Sequence, residues 1–336
     1  MGKHKASLYM TIALVILSMM QAAGAAEKLD KVRFTYAPLS ASGFLWFVAK
    51  DAGYFEKNRL DVDMYFEGAS PIMVQSILAG ENNFAGGLGP TAVTNVLQGG
   101  DVIPVACITH TFTTPMYVQP SITSLQQLRG KKVGVSRIGA VSHLTADSIL
   151  RRARVGDVTI IQTGGIPESM AAVMTGNVDG AMVNPPNNII LREKGFRELV
   201  GAKQLKEMNL RFPENGVMAK RSWAEKNSDV VKRFIKSIAE GLKRMHDDKD
   251  FAMKTLGKYT KVTDAKSLEE SYRWGIDSFF KDFKTPVEGM RLMVDQLASS
   301  RMIDPALAQK TPLTAYYENR YVEELEKEGF FKKLWQ

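Results

Sequence analysis

Residues 44–66 read FLWFVAKDAGYFEKNRLDVDMYF. The opening run, Phe44 to Asp51, begins a helix, and Gly53-Tyr54 ends it. From Leu60 the apolar side chains then fall on every second position (Leu60, Val62, Met64, Phe66), the period of a strand with one face in a core. Upstream, Val32 to Ala37 alternates in the same way, and Pro38 to Gly43 is loop. Strand, loop, helix and strand in that order make one βαβ unit.

The same order repeats outward from this stretch. After Gly68-Ala69-Ser70, Pro71 sits in the first turn of a helix running to Leu78, where its missing N–H costs nothing. Phe84 to Leu88 is a Gly-rich strand, Gly89-Pro90-Thr91 leads a helix through Leu97, and Val102 to Ile108 is a fourth strand. A second series follows Tyr117-Val118. It has a short helix at Ser124 to Leu128, strands at Lys132 to Val135, Val158 to Ile161 and Val178 to Val183, and helices at His143 to Arg152 and Pro167 to Met174. Asn215 to Ala219 reads as one more short strand, and from Ser222 the pattern is helical, with Val230, Val231, Phe234, Ile235, Ile238 and Leu242 recurring at three and four residues.

About 310 residues beyond the N-terminal leader exceed what one core usually holds. The expected architecture is therefore two α/β lobes on mostly parallel sheets: residues 26–114 with 214–336 as a discontinuous first lobe carrying the C-terminal helices, and 115–213 as the second. A cleft between such lobes receives ligands at the carboxyl ends of the strands.

The leader is Lys3, His4 and Lys5, an apolar run from Leu8 to Met20, and the small-residue tract Ala22 to Ala26, in the order of a secretory signal peptide over 1–25. The apolar run is too short to span a bilayer, which takes about 20 residues. No Cys follows it for lipidation, so the mature chain is expected free in a periplasm and not membrane-inserted. Removing the leader takes away Lys3 and Lys5 and lowers the formal net charge from +8 to +6. The basic residues are scattered, without the stripe and interleaved aromatics of a nucleic-acid binder. The single cysteine, Cys107, lies in the apolar run Val102 to Ile108 and reads as a buried strand residue.

No catalytic or metal motif is present: there is no GxSxG elbow, no Walker loop, and no pairing of His110, His143 and His246 at metal-ligand spacing. What recurs is a loop of small and hydroxyl residues between a strand end and a helix start: Ser40 to Gly43, Gly68 to Ser70, Gly89 to Thr91 and Gly139 to Ser142. Such loops serve equally as caps and turns or as an anion-accepting wall of free N–H groups and hydroxyls. Arg137 pairs with an anionic ligand or points to solvent, Phe44 and Trp46 stack on a planar ligand or pack in the core, and the amide of Asn184 precedes two prolines at a strand end. These loops lack Asp and Glu, which favours an anion over a cation.

Three stretches, Ala49 to Val62, Leu125 to Val135 and Met174 to Ala181, resemble in sequence and order the periplasmic substrate-binding proteins of the sulfonate, taurine, nitrate and thiamine-pyrimidine-precursor type. The resemblance implies a type II periplasmic-binding-protein fold, a non-catalytic monomer without cofactor, a small-molecule ligand held between the lobes, and an ABC transporter permease as partner. Carried over residue by residue, it places ligand contacts at Ser40, Ser42, Phe44, Gly68, Ser70, Pro90, Thr91, Ser136, Gly139, Ala140, Val141, Ser142 and Asn184. A sensor domain using the same cleft is an alternative reading. So is an enzyme of the same superfamily that makes the thiamine pyrimidine, but it carries a cysteine-rich motif that this chain lacks. Expressed with its leader in a double-membraned bacterium, the chain should be recovered from the periplasm with Ala26 as its first residue by N-terminal sequencing. A cytoplasmic, full-length product would refute the leader.

Overall fold

A computed structural model describes residues 28–37, 39–208 and 211–336; the leader and Pro38 of the first loop lie outside the described residues. The strands are β1 (Asp30–Tyr36), β2 (Leu60–Phe66), β3 (Phe84–Gly86), β4 (Val102–Thr111), β5 (Met116–Val118), β6 (Lys132–Val135), β7 (Thr159–Gln162), β8 (Gly180–Met182), β9 (Arg197–Val200) and β10 (Arg211–Lys220). They form two five-stranded sheets, ordered β2-β1-β3-β10-β4 and β7-β6-β8-β5-β9. The molecule is thus two α/β lobes with a cleft between them and a helical C-terminal part.

The alternation read in the sequence is what seats β1 against β2. Their parallel register sets Val32 beside Val62 and Phe34 beside Met64, while Asp61 and Asp63 point outward from this edge strand. Parallel pairing also joins β1 to β3 and β6 to both β7 and β8. Two strands break the parallel expectation. β10 runs antiparallel between β3 and β4, and β5 antiparallel between β8 and β9. Each lies beside a chain crossing, so its direction is set by where the chain re-enters a sheet and not by a βαβ crossover. The sequence reading does not contain β5, β9 or the helices Asn187–Glu193 and Ala202–Glu207.

The amphipathic helix Ser228–Asp247 lays Val231, Phe234, Ile235, Ile238, Leu242 and Met245 into the first core. Phe234 is its centre, with ring centroids 5.2 Å from Phe34, 4.4 Å from Phe84 and 5.1 Å from Phe55. The helix Val287–Ser299 goes elsewhere: Met290, Met293, Val294 and Leu297 join a cluster with Phe112, Leu144 and Ile149, around the second sheet. The outer edge of β4 is covered by the C-terminal segments, with Phe280 donating to Ile108, Cys107 to Phe283 and Glu318 to Pro104. Cys107 is fully buried there, and burial pushes its thiol up, away from reactivity.

The chain passes from the first sheet to the second through residues 112–115 and back into the first at the opening residues of β10. Phe112 and Phe212 stack across the two passages at 4.6 Å.

Gly241 of helix Ser228–Asp247 faces the helix Phe44–Asp51 so closely that a Cβ there would lie 3.0–3.1 Å from the Cβ, Cα and N of Ala49. Gly241→Val should lower stability by about 1–3 kcal/mol through overpacking, read as a lower urea midpoint at unchanged slope. An unchanged midpoint would show that the two helices can separate freely.

Candidate ligand cleft

The carboxyl ends of the parallel strands open on one cavity of about 70 Å³. Ala37 follows β1, Gly68, Ala69 and Ser70 follow β2, and Gly87 and Leu88 follow β3; from the other lobe Ser136 follows β6, Ile166 follows β7 and Asn184 follows β8. One water needs roughly 10–15 Å³, so the closed cleft suits a small solute. Two helices point their first turns at it, Ser70–Leu78 from one lobe and Val141–Arg152 from the other. The N–H groups of a first helical turn have no acceptor within the helix, and the dipole there favours negative charge.

Eight of the residues expected at the site line this cavity: Ser42, Gly68, Ser70, Ser136, Ala140, Val141, Ser142 and Asn184. Ser142 Oγ accepts from the Ser136 N–H at 3.0 Å and lies 2.8 Å from the Ser136 hydroxyl, which fixes the start of the helix. Ser42 stands at the centre of a bridge between lobes. Its Oγ accepts from Asn184 Nδ2 at 2.6 Å, and its carbonyl accepts from Asn215 Nδ2 at 2.9 Å.

Six others do not line the cavity. Ser40 is buried, and its hydroxyl caps the turn Ala41–Gly43 by accepting from the Ser42 N–H. Phe44 packs in the core, edge-on to Tyr272, since it opens a helix buried on nearly every side; Trp46 packs there too, against Phe34. Arg137 lies outside the lining, on the loop after β6. Pro90, Thr91 and Gly139 sit where the lobes touch: Thr91 Oγ1 donates to the Gly139 carbonyl at 3.0 Å, and the Gly139 N–H donates to His143 Nδ1 at 3.1 Å. Beside them Gly89, at φ +82°, approaches Val141 so closely that a Cβ would fall 2.4 Å from Val141 Cγ2. A glycine is therefore required twice over, by conformation and by space.

The structure adds residues that the sequence reading missed: Thr109, Thr113, Thr114, Glu214, Asn215 and Trp274. The four loops contribute no acid, but the lining gains one from outside them, Glu214. This residue lies in β10 and is only 6% exposed. Thr113 Oγ1 donates to its Oε2 at 2.6 Å and Thr114 Oγ1 approaches its Oε1 at 3.4 Å. Burial pushes its carboxyl from 4.5 up to about 7, against the lowering effect of those hydrogen bonds. Trp274 closes one side, its Nε1 donating to the Thr113 carbonyl at 3.3 Å. Among the described residues the lining contains no Lys, Arg or His. An acid beside an amide between Phe212 and Val217 was the visible signal, since an apolar strand interrupted by Glu214-Asn215 has to satisfy both.

The model of the NMT1/THI5-like family matches residues 43–252. The chain belongs to this family. A Bacillus subtilis relative, YtlA, named only as a candidate binding protein, is 25% identical over 210 residues, 60% of this chain and 60% of YtlA. The match thus spans less than two thirds of that relative's length. Among solved structures, the alkanesulfonate-binding protein SsuA of Xanthomonas axonopodis, bound to MOPS, is similar at TM-score 0.69 and 16% identity, over 87% of this chain and 98% of SsuA. The periplasmic nitrate-binding protein NrtA of Synechocystis is similar at TM-score 0.69 and 12% identity, over 90% of this chain and 88% of NrtA. At these identities the likeness establishes the periplasmic-binding-protein fold.

Because Glu214 has a folded-state value above its ordinary one, the folded chain holds an extra proton between about pH 4.5 and 7. The stability this provides is full at low pH and is lost as pH rises through that window, by on the order of 3 kcal/mol. The melting temperature of the unliganded protein should fall relative to Glu214→Gln from pH 5 to 7.5, and parallel curves for the two proteins would refute it.

Proposed function

We propose that this family member is a periplasmic solute receptor, a non-catalytic protein that captures a small organic ligand between its lobes and delivers it to an ABC importer. In this reading the lobes are residues 26–114 with 214–336 and residues 115–213, the two passages between the sheets are the hinge, and the protein acts as a monomer after export. The observation that carries the reading is the cavity itself, lined from both lobes by hydroxyls, amides and two helix N-termini.

Contacts that cross the cleft support the same conclusion. Besides Ser42 with Asn184 and Thr91 with Gly139, the Ala41 N–H donates to the Pro185 carbonyl at 2.8 Å, and Arg192 pairs with Glu270. A ligand touching both walls would add its binding energy only to the closed arrangement, and closure would present a surface to the permease. The helix N-termini and hydroxyls suit the acceptor-rich head of an anion such as a sulfonate, a carboxylate or nitrate. With no cationic side chain among the described residues of the lining, recognition of that head would rest on N–H and O–H donors.

A thermal-shift screen of sulfonates, aromatic carboxylates, nitrate and pyrimidines should raise the melting temperature with at least one member. The same compound should contract the protein in small-angle scattering. Ser142→Trp, which fills the cavity, should abolish the contraction. No contraction with any compound of the panel would overturn the receptor reading.

A further inference from the structure

The cavity's polar groups do not all call for the same partner. Its helix N-termini and hydroxyls can donate, but Glu214 is an acceptor when ionised, with two oxygens and about four lone-pair sites. Thr113 and Thr114 occupy only part of that capacity. A second acceptor stands on the opposite lobe. Asn184 is 2% exposed, its Nδ2 is engaged by Ser42, and its Oδ1 is buried without a hydrogen-bond partner. The two groups belong to one connected set, since Ser42 is bonded both to Asn184 and to Asn215, the neighbour of Glu214.

A buried acceptor left unmet is costly, and a buried carboxylate more so. No Lys, Arg or His of the lining neutralises Glu214. In the empty cleft a proton does so, and in the occupied cleft a hydrogen-bond donor on the solute takes the proton's place. A bare inorganic anion would meet the helix N-termini and leave both acceptors unmet, with its own charge close to a carboxylate. A solute that carries a hydrogen-bond donor satisfies them.

We propose that the cleft selects a small organic anion that also bears an amine, whose N–H groups are received by Glu214 and by Asn184 Oδ1 while its anionic head lies at the first turns of helices Ser70–Leu78 and Val141–Arg152. This deepens the receptor reading and rests on it. Trp274 and Leu88 flank the same cavity and cover the hydrocarbon between the two ends. Glu214 is on this account a specificity residue as well as a tie between the two chain passages.

The test is calorimetric titration with matched pairs that differ only in the amine: 3-aminopropanesulfonate against propanesulfonate, and 4-aminobutanoate against butanoate. The amine-bearing member of at least one pair should bind tighter by about tenfold or more, the scale of one charge-assisted hydrogen bond. Glu214→Gln should bring that ratio close to one. Equal affinity within both pairs overturns the inference while leaving the receptor reading in place, as does a preference that survives Glu214→Gln or a variant that weakens both members equally. Silence from all four compounds overturns the inference; paired with contraction by any other member of the scattering panel, it leaves the receptor reading standing, and without such contraction both fall. The comparison within each pair uses the unaltered protein, so it holds even if Glu214→Gln does not fold.

Discussion

The two passages of chain between the sheets are tied to each other. Phe112 stacks on Phe212, and Thr113 donates to Glu214, so the polypeptide leaving the first sheet and the polypeptide returning to it are held side by side. Their placement determines the rest. It sets β10 antiparallel between β3 and β4, brings the carboxyl ends of two separate parallel sets to face one another, and takes Glu214 out of water. The stack stabilises the pair of passages and the buried carboxylate opposes it, because desolvating an acid costs more than two threonine hydroxyls return. The joint is therefore held by apolar contact and carries a polar group that a solute can satisfy.

The polar contacts across the cleft are individually small. A neutral hydrogen bond such as Thr91 to Gly139 adds about 0.5–1.5 kcal/mol net, and the Arg192 pair with Glu270 is partly exposed, where ion pairs contribute about 0–1 kcal/mol. The larger link between the lobes is apolar, since Met290, Met293 and Leu297 share one buried cluster with Leu144 and Ile149. Gly89 has the opposite character: its absent side chain is what lets Val141 approach, so this contact between the lobes is a matter of space.

Most of the first sheet was legible from residues 44–66 outward, because β1 and β2 are partly exposed strands whose alternation survives in the sequence and the helix Ser228–Asp247 shows its apolar stripe. The loops at the strand ends were legible as a class, and seven of their residues line the cavity: Ser42, Gly68, Ala69, Ser70, Ala140, Val141 and Ser142. Which members face inward was not. Ser40 and Ser42 are two residues apart in one hydroxyl-rich loop, yet the first caps a turn and the second bridges the lobes. Phe44 looks the same in sequence whether it stacks on a ligand or fills a core; the packing of Tyr272 against it, more than 200 residues away, decides.

By itself, then, the sequence determined the βαβ repeat, the two-lobed class and the loops where a ligand belongs, because these follow from local periodicity and from the turn chemistry of Gly, Ser and Pro. Only the tertiary structure decided the direction of β5 and β10, the attachment of helix Val287–Ser299 to the second cluster, and the charge of the cleft. Those depend on contacts between residues distant in the chain. Glu214 is the plainest case: within its own strand it is one acid beside one amide, and it becomes a buried, partly satisfied acceptor only when Thr113 and Thr114 arrive from a hundred residues upstream.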